Sequence, residues 1–254
     1  MRINKLKQTI IDGNVGFGGI ISGNSPEIVE LLGAIGYDFV MIDCEHGPMD
    51  VAQVENMVRA AEAFNITPLA RIPDHSDTTI LRFLDRGIQG IIVPHVNTGE
   101  QAESIAKAAR YYPEGHRGVG GGRSTDYGMG GSREESAEWI NSSIMVIPMI
   151  EEVEAIENLD DILAVKGIDM LHVVSGDLSQ SMGYPGQDVV WKAMDDVVKR
   201  TRESGKFVSV GGNSPTGTKR VANLINQGVN AITIGTLGLL SLAAQRFREE
   251  VGAQ

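Results

Sequence analysis

Short apolar runs alternate along the chain with longer stretches whose apolar positions recur every three or four residues. The short runs occupy residues 16–22, 37–43, 67–72, 90–95, 144–150, 168–175, 206–212 and 230–236, and read as strands. The amphipathic stretches at 26–35, 51–64, 78–86, 100–111, 153–164, 189–204, 216–227 and 237–251 read as helices. Ser25, Asp50 and Ser214 stand where N-caps belong, and Gly36, Gly87, Gly205 and Gly228 where helices close. Runs such as 88–93 and 168–174 are nearly continuous hydrophobics, as expected of parallel strands covered on both faces. Eight strand–helix units in 254 residues predict one α/β domain over 1–254, a (β/α)₈ barrel. A doubly wound open sheet is the competing layout, but no glycine-rich dinucleotide fingerprint follows the first strand.

In such a barrel the C-terminal strand ends share one rim, where catalytic groups collect. The second strand ends in Asp43-Cys44-Glu45-His46-Gly47, the third at Arg71 and the fourth at Pro94-His95. The fifth ends at Met149, Glu151 and Glu152, and the sixth at Ser175-Gly176-Asp177. Gly211-Gly212 and Gly235-Thr236 end the last two. Glu151 and Asp177, one strand apart, suit a hard divalent cation such as Mg²⁺ or Mn²⁺; capping of the following helix is the alternative role for each. His46 is the candidate general base, because an imidazole exchanges protons near neutral pH, with Asp43 or Glu45 to orient it. Arg71 at a strand end should face an anion. Cys44 points opposite to its acidic neighbours and reads as packing. His75, His95 and His116 read as histidines held under loops, and His172 as barrel lining. Arg82 and Asp85 form a helix-surface pair or reach a neighbouring subunit. The glycine-rich segment 113–131 lacks the Gly-Lys-Ser/Thr ending of a phosphate cradle and reads as an active-site loop or a subunit contact.

Charge and cysteine usage narrow the partners. A net charge of −11 disfavours nucleic acid and anionic membranes. The single cysteine excludes a disulfide framework. The first residues lack a long apolar core, and no run of about 18 apolar residues occurs, so a cytoplasmic setting is expected.

Taken in order, Glu45-His46-Gly47-Pro48, Arg71-Ile72-Pro73, Tyr112-Pro113-Glu114-Gly115-His116-Arg117-Gly118, Ile150-Glu151 and Gly176-Asp177-Leu178-Ser179 resemble the HpcH/HpaI aldolases, metal-dependent class II pyruvate aldolases. That group includes 4-hydroxy-2-oxoheptanedioate and 2-keto-3-deoxy-sugar-acid aldolases. The resemblance implies a barrel of the phosphoenolpyruvate/pyruvate type, assembled as a trimer or hexamer, with helix 237–251 packed on a neighbouring barrel. It implies Glu151 and Asp177 as ligands of Mg²⁺, Mn²⁺ or Co²⁺. It implies His46 with Asp43 as acid–base machinery acting through a water on the metal. Arg71 would stabilise the enolate oxygen, and the N–H groups of Gly176 and Asp177 would hold the pyruvate carboxylate. Asp85 would approach the adjacent subunit's site. The substrates implied are pyruvate and an aldehyde. The chain departs from the family at Met149, a substrate-site position where the family has Gln, at Glu152 in place of Thr, and at Val174-Ser175 in place of Gly-Pro. The segment around Gly121–Tyr127 is also atypical. Three functions are therefore carried forward: an aldolase of 4-hydroxy-2-oxo acids, a decarboxylase of oxaloacetate-type 2-oxo dicarboxylates, and an inactive barrel serving as a binding subunit.

Overall fold

All eight strands form within two residues of where the hydropathy pattern puts them: β1 (Gly16–Ile21), β2 (Phe39–Asp43), β3 (Thr67–Arg71), β4 (Gly90–Val93), β5 (Met145–Ile150), β6 (Met170–Val173), β7 (Phe207–Asn213) and β8 (Ala231–Gly235). The structure is a computed structural model and describes residues 2–252. The strands close in sequence order into a single barrel in which every neighbour is parallel. The helices are α1 (Lys5–Ile11), α2 (Pro26–Ala34), α3 (Val51–Ala63), α4 (Asp77–Asp85), α5 (Gly99–Ala109) and α6 (Arg133–Ser143). They continue with α7 (Val153–Glu157), α8 (Leu159–Ala164), α9 (Ser175–Ser181), α10 (Gln187–Glu203), α11 (Thr218–Asn226) and α12 (Thr236–Glu250). The single helix expected over 153–164 is two, because Asn158 leaves helical geometry between α7 and α8. Among the described residues no helix is long and apolar enough to cross a membrane.

Three helices were not anticipated. The first, α1, seals the barrel at the strand N-termini: Leu6 and Ile10, one turn apart, join Phe39, Met41, Leu69 and Met145 in the interior cluster. Asn4 caps α1 and ties it down by donating to the Gln89 and Ser143 carbonyls. Glycine in β1 makes room for this floor, since a Cβ on Gly18 would lie 2.3 Å from the Phe39 ring. The second, α6, carries a Ser132–Glu135 capping box that the sequence displays openly. The third, α9, begins directly after β6 and supplies part of the rim.

The barrel interior is graded. Its lower layers are apolar, with Met145, Ile147, Met149 and Met170 among the lining. Towards the strand C-termini the buried side chains become Asp43, Arg71, Glu151, His172, Ser209 and Thr233. A second, larger cluster between strands and helices, including Val40, Ile42, Val58, Leu84, Ile105 and Leu171, supports this polar end from outside.

The glycine-rich segment does not cover the mouth of its own barrel. Gly120 and Gly122 approach Asp85 at the C-terminal end of α4, and Arg123 pairs with Glu62 near the end of α3. Both anchors lie at the end where strands begin. The turn over Arg123–Gly128 holds Asp126 and Tyr127 at positive φ. Of the two readings of this segment, that of an active-site loop at the chain's own rim is corrected by these anchors.

Candidate active site

Asp43 closes β2 and Arg71 closes β3, in register with each other. Arg71 donates from Nε to Asp43 Oδ1 at 2.9 Å and from Nη2 to Oδ2 at 2.8 Å. This bidentate pair is almost fully buried. Burial alone pushes the Asp43 carboxyl up, but the hydrogen bonds and charge of Arg71, joined by His46, outweigh it and hold it below the ordinary range. The Arg71 guanidinium is likewise lowered by burial but raised on balance by Asp43, Glu45 and Glu151. Its Nη1 stands 3.1 Å from Glu45 Oε2, a charge contact without hydrogen-bond alignment.

The turn after β2 is built on Asp43 as well. Its Oδ1 accepts from the backbone N–H of Glu45 at 3.3 Å and of His46 at 3.2 Å. Gly47 lets the turn close, because a Cβ there would lie 2.1 Å from the Asp43 carbonyl oxygen. The His46 imidazole is exposed at the rim and makes no hydrogen bond or ion pair among the described residues. Asp43 and His46 thus meet through the backbone, while the two Asp43 oxygens hold Arg71. Cys44 is buried, and burial with the charges of Asp43 and Asp50 pushes its thiol up to about 12, which suits packing and not nucleophilic attack.

Glu151 follows β5 and is 2% exposed. Its Oε1 accepts from the His95 backbone N–H at 2.8 Å. Burial, with the like charges of Glu45 and Asp177, pushes this carboxyl above its ordinary value, against the opposing pull of His95. Asp177 sits in the first turn of α9, half-buried, and no side chain caps that helix. The N–H groups of Gly176 and Asp177 therefore open the uncapped, electropositive end of α9. The capping alternative fails for both carboxylates, since neither α7 nor α9 has a side-chain cap.

His95 is the residue that sequence reasoning passed over. Its Nδ1 lies 2.7 Å from Glu152 Oε1, and its Nε2 lies 3.5 Å from Glu45 Oε1. The Glu152 hydrogen bond outweighs burial and raises the imidazole, with the Glu151, Glu152 and Glu45 charges adding to it. Asn97 Nδ2 braces Glu152 from the other side at 2.9 Å. A φ of +55 at His95 turns the ring back over the rim. Position after Pro94 at a strand end was the available signal.

The remaining candidates are placed as follows. Met149 is fully buried in the barrel interior, paired in register with His172. Asp85 lies at the far end of α4 from its own chain's rim and accepts from Arg117 Nη2 at 2.8 Å. Gly211 and Gly212 form an irregular end to β7.

The rim thus gathers Glu45, Glu151, Glu152 and Asp177 around Arg71 and His95. This all-oxygen donor set fits a hard divalent ion, which takes few protein ligands and leaves the rest to substrate and water. Burial is the main cause that raises Glu151 and the charges of Glu45 and Asp177 add to it; a bound cation would oppose both. Among the described residues no three His, Cys, Asp or Glu side chains already converge as a closed metal cage.

Known proteins resemble this chain over nearly its whole length. A 4-hydroxy-2-oxovalerate aldolase of Novosphingobium aromaticivorans is 33% identical over 263 residues, covering 99% of this chain and 97% of the relative. A hydroxypyruvate/pyruvate aldolase of Roseobacter denitrificans is 34% identical, covering 82% of each. The solved structure of citrate synthase SbnG superposes with a TM-score of 0.84 at 34% identity, covering 97% of this chain and 99% of that one. The family described as HpcH/HpaI aldolase/citrate lyase matches residues 18–239. The chain belongs to that family and is a carbon–carbon lyase.

Proposed function

We propose that this enzyme is a divalent-metal-dependent aldolase that cleaves and forms 4-hydroxy-2-oxo acids through the enolate of pyruvate. The observation that carries the reading is the buried Asp43–Arg71 pair set beside the Glu151–Asp177 carboxylates at one rim. The uncapped N–H groups of Gly176 and Asp177 receive the carboxylate of the 2-oxo acid. Arg71, held in one orientation by both oxygens of Asp43, presents its outer N–H groups to the enolate oxygen as charge develops there. Glu151 and Asp177 would hold Mg²⁺, Mn²⁺ or Co²⁺. When bound, the ion supplies Lewis-acid polarisation of the 2-oxo group. His46, whose ring is free and exposed, takes and returns the methyl proton.

Replacing His46 with Ala is expected to slow exchange of pyruvate methyl protons with deuterated water by about 10²–10⁴-fold, followed by proton NMR. Exchange at the wild-type rate would remove His46 from the proton path. Turnover of a 4-hydroxy-2-oxo acid against oxaloacetate, with and without EDTA, separates aldol cleavage from decarboxylation. Decarboxylation of oxaloacetate without aldol cleavage, in the enzyme supplied with metal, would overturn the reading.

The assembly is part of the proposal. Leu237, Leu240 and Phe247 on α12 are exposed, and α12 buries nothing in the single chain. We place this helix on a neighbouring barrel in a homotrimer or homohexamer, where Asp85 of one chain approaches the rim of the next. A Leu240→Glu/Phe247→Glu double variant is expected to reduce the mass measured by light scattering towards that of one chain. An unchanged mass would place the contact elsewhere.

A further inference from the structure

A single hydrogen bond orients Glu151. Among the described residues its side chain accepts only from the His95 backbone N–H, at Oε1, and Oε2 has no protein partner. The direction of that N–H is tied to an unusual backbone state, a φ of +55 at His95. Left-handed geometry is costly for a residue with a Cβ and lasts only where neighbours enforce it. The chain is fixed on both sides of His95. Before it runs β4, buried at every position. After it, Val96 is fully buried, the Asn97 N–H donates to Gln101 Oε1 at 2.7 Å, and the Asn97 carbonyl accepts from Asn158 Nδ2 at 2.9 Å. Between two fixed flanks, φ at His95 changes only if the planar Pro94–His95 peptide turns over, and that peptide carries the N–H.

Glu152 supplies the enforcement. Its Oε1 lies 2.7 Å from His95 Nδ1, and its Oε2 accepts from Asn97 Nδ2 at 2.9 Å. A carboxylate has no proton to give, so Nδ1–H is the donor whether the ring is neutral or charged. Glu152 stands at the N-cap of α7 yet caps nothing there, which leaves both oxygens for these two contacts. It therefore clips the His95 ring to Asn97, a post that Gln101 and Asn158 already hold.

We propose that Glu152 is a positioning residue: through the His95 ring it locks the Pro94–His95 peptide in the one orientation that holds Glu151. Glu152, set apart in the sequence as a departure from the family's Thr, thereby gains a task. One hydroxyl on a shorter side chain cannot serve both His95 and Asn97. The consequence for an ion at Glu151 rests on the metal reading above.

The test uses the whole enzyme and two variants that lose the same charge. Glu152→Gln keeps an oxygen for Nδ1–H, and the Asn97 amide, whose Oδ1 has no partner, can turn over to accept from the new NH₂. Glu152→Thr breaks the clip. In calorimetry, Glu152→Thr should bind Mn²⁺ about tenfold more weakly than Glu152→Gln, the usual weight of a residue that orients a ligand. Equal affinities overturn the proposal. In a His95→Gly background there is no ring to hold and glycine accepts φ of either sign, so the difference between Gln and Thr should vanish. A difference that persists overturns the path through His95. A crystal structure of metal-free Glu152→Thr reads the clip directly. Its Pro94–His95 peptide should be turned, with the N–H withdrawn from Glu151. An N–H still on Oε1 at positive φ overturns the proposal. If the wild type binds no Mn²⁺, the metal reading fails, and that structure still decides whether Glu152 positions His95.

Discussion

Arg71→Lys is expected to lower kcat for aldol cleavage by about 10²–10³-fold, the usual cost of removing one preorganised donor from an oxyanion. Charge is conserved in this substitution, so the loss isolates geometry. The guanidinium spends Nε and one edge of Nη2 on Asp43, and keeps its remaining N–H groups in a fixed plane. A lysine ammonium reaching the same place is a point donor on a flexible stem and cannot grip Asp43 and face substrate at once. Steady-state kinetics on a 4-hydroxy-2-oxo acid, with pyruvate release as the readout, checks it. A rise in KM alone, with kcat intact, would make Arg71 a binding residue and not a stabiliser of developing charge.

Arg71→Ala asks a different question of the same pair. It strands Asp43, which is 4% exposed, as a buried carboxylate. Breaking a buried pair in this way costs about 3–5 kcal/mol, so a lowered melting temperature should accompany the lost activity. The pair also sets a pH window. The folded Asp43 carboxyl titrates below its ordinary 3.8. Its contribution to stability is therefore full above that value and is lost as pH falls through the lowered one. Wild type should lose this increment on acidification, and Arg71→Ala should have none to lose.

The frame of this site was legible in the sequence for a simple reason. Parallel strands buried on both faces are read as unbroken apolar runs, and β2, β3 and β5 are buried at every position. Asp43, Arg71 and Glu151 then stand out as charges where such runs end. His95 stood at a strand end in the sequence, but its ring placement depends on a positive φ after Pro94, a backbone state that a non-glycine residue rarely adopts. Nor was the Asp43–Arg71 pairing visible, since it arises from strand register, which fixes two residues 28 apart side by side. The barrel seal α1 escaped because seven residues with two buried apolar positions give too short a period to read. The glycine-rich segment left an active-site loop and a subunit contact open, and only the structure shows Arg123 and Glu62 anchoring it by charge at the other end of the chain's own barrel.

Glu151→Gln is expected to abolish most activity while leaving the metal-free protein at least as stable as wild type. The two halves of that result have one cause. Glu151 is a buried carboxylate beside Glu45 and Asp177, and burial with those like charges raises it. Glutamine has the same shape and keeps an oxygen for the His95 N–H, so the local fold has no reason to change. Removing the charge relieves repulsion, which should hold or raise the melting temperature without metal. The same removal takes away half of the paired carboxylates proposed to hold the ion, and with it Lewis-acid assistance worth several kcal/mol. A loss of about 10³-fold in kcat/KM follows. Calorimetry with Mn²⁺ checks the first step: wild type should bind, Glu151→Gln much more weakly. Thermal unfolding checks the second, because a ligand bound only by the folded state raises its melting temperature. Mn²⁺ should therefore stabilise wild type and not the variant. Undiminished Mn²⁺ binding by Glu151→Gln would remove this carboxylate from the metal site. A variant much less stable than wild type without metal would mean that Glu151 serves the fold. Stability given up at a carboxylate cluster, and recovered only with a cation in place, is what separates a site from a core.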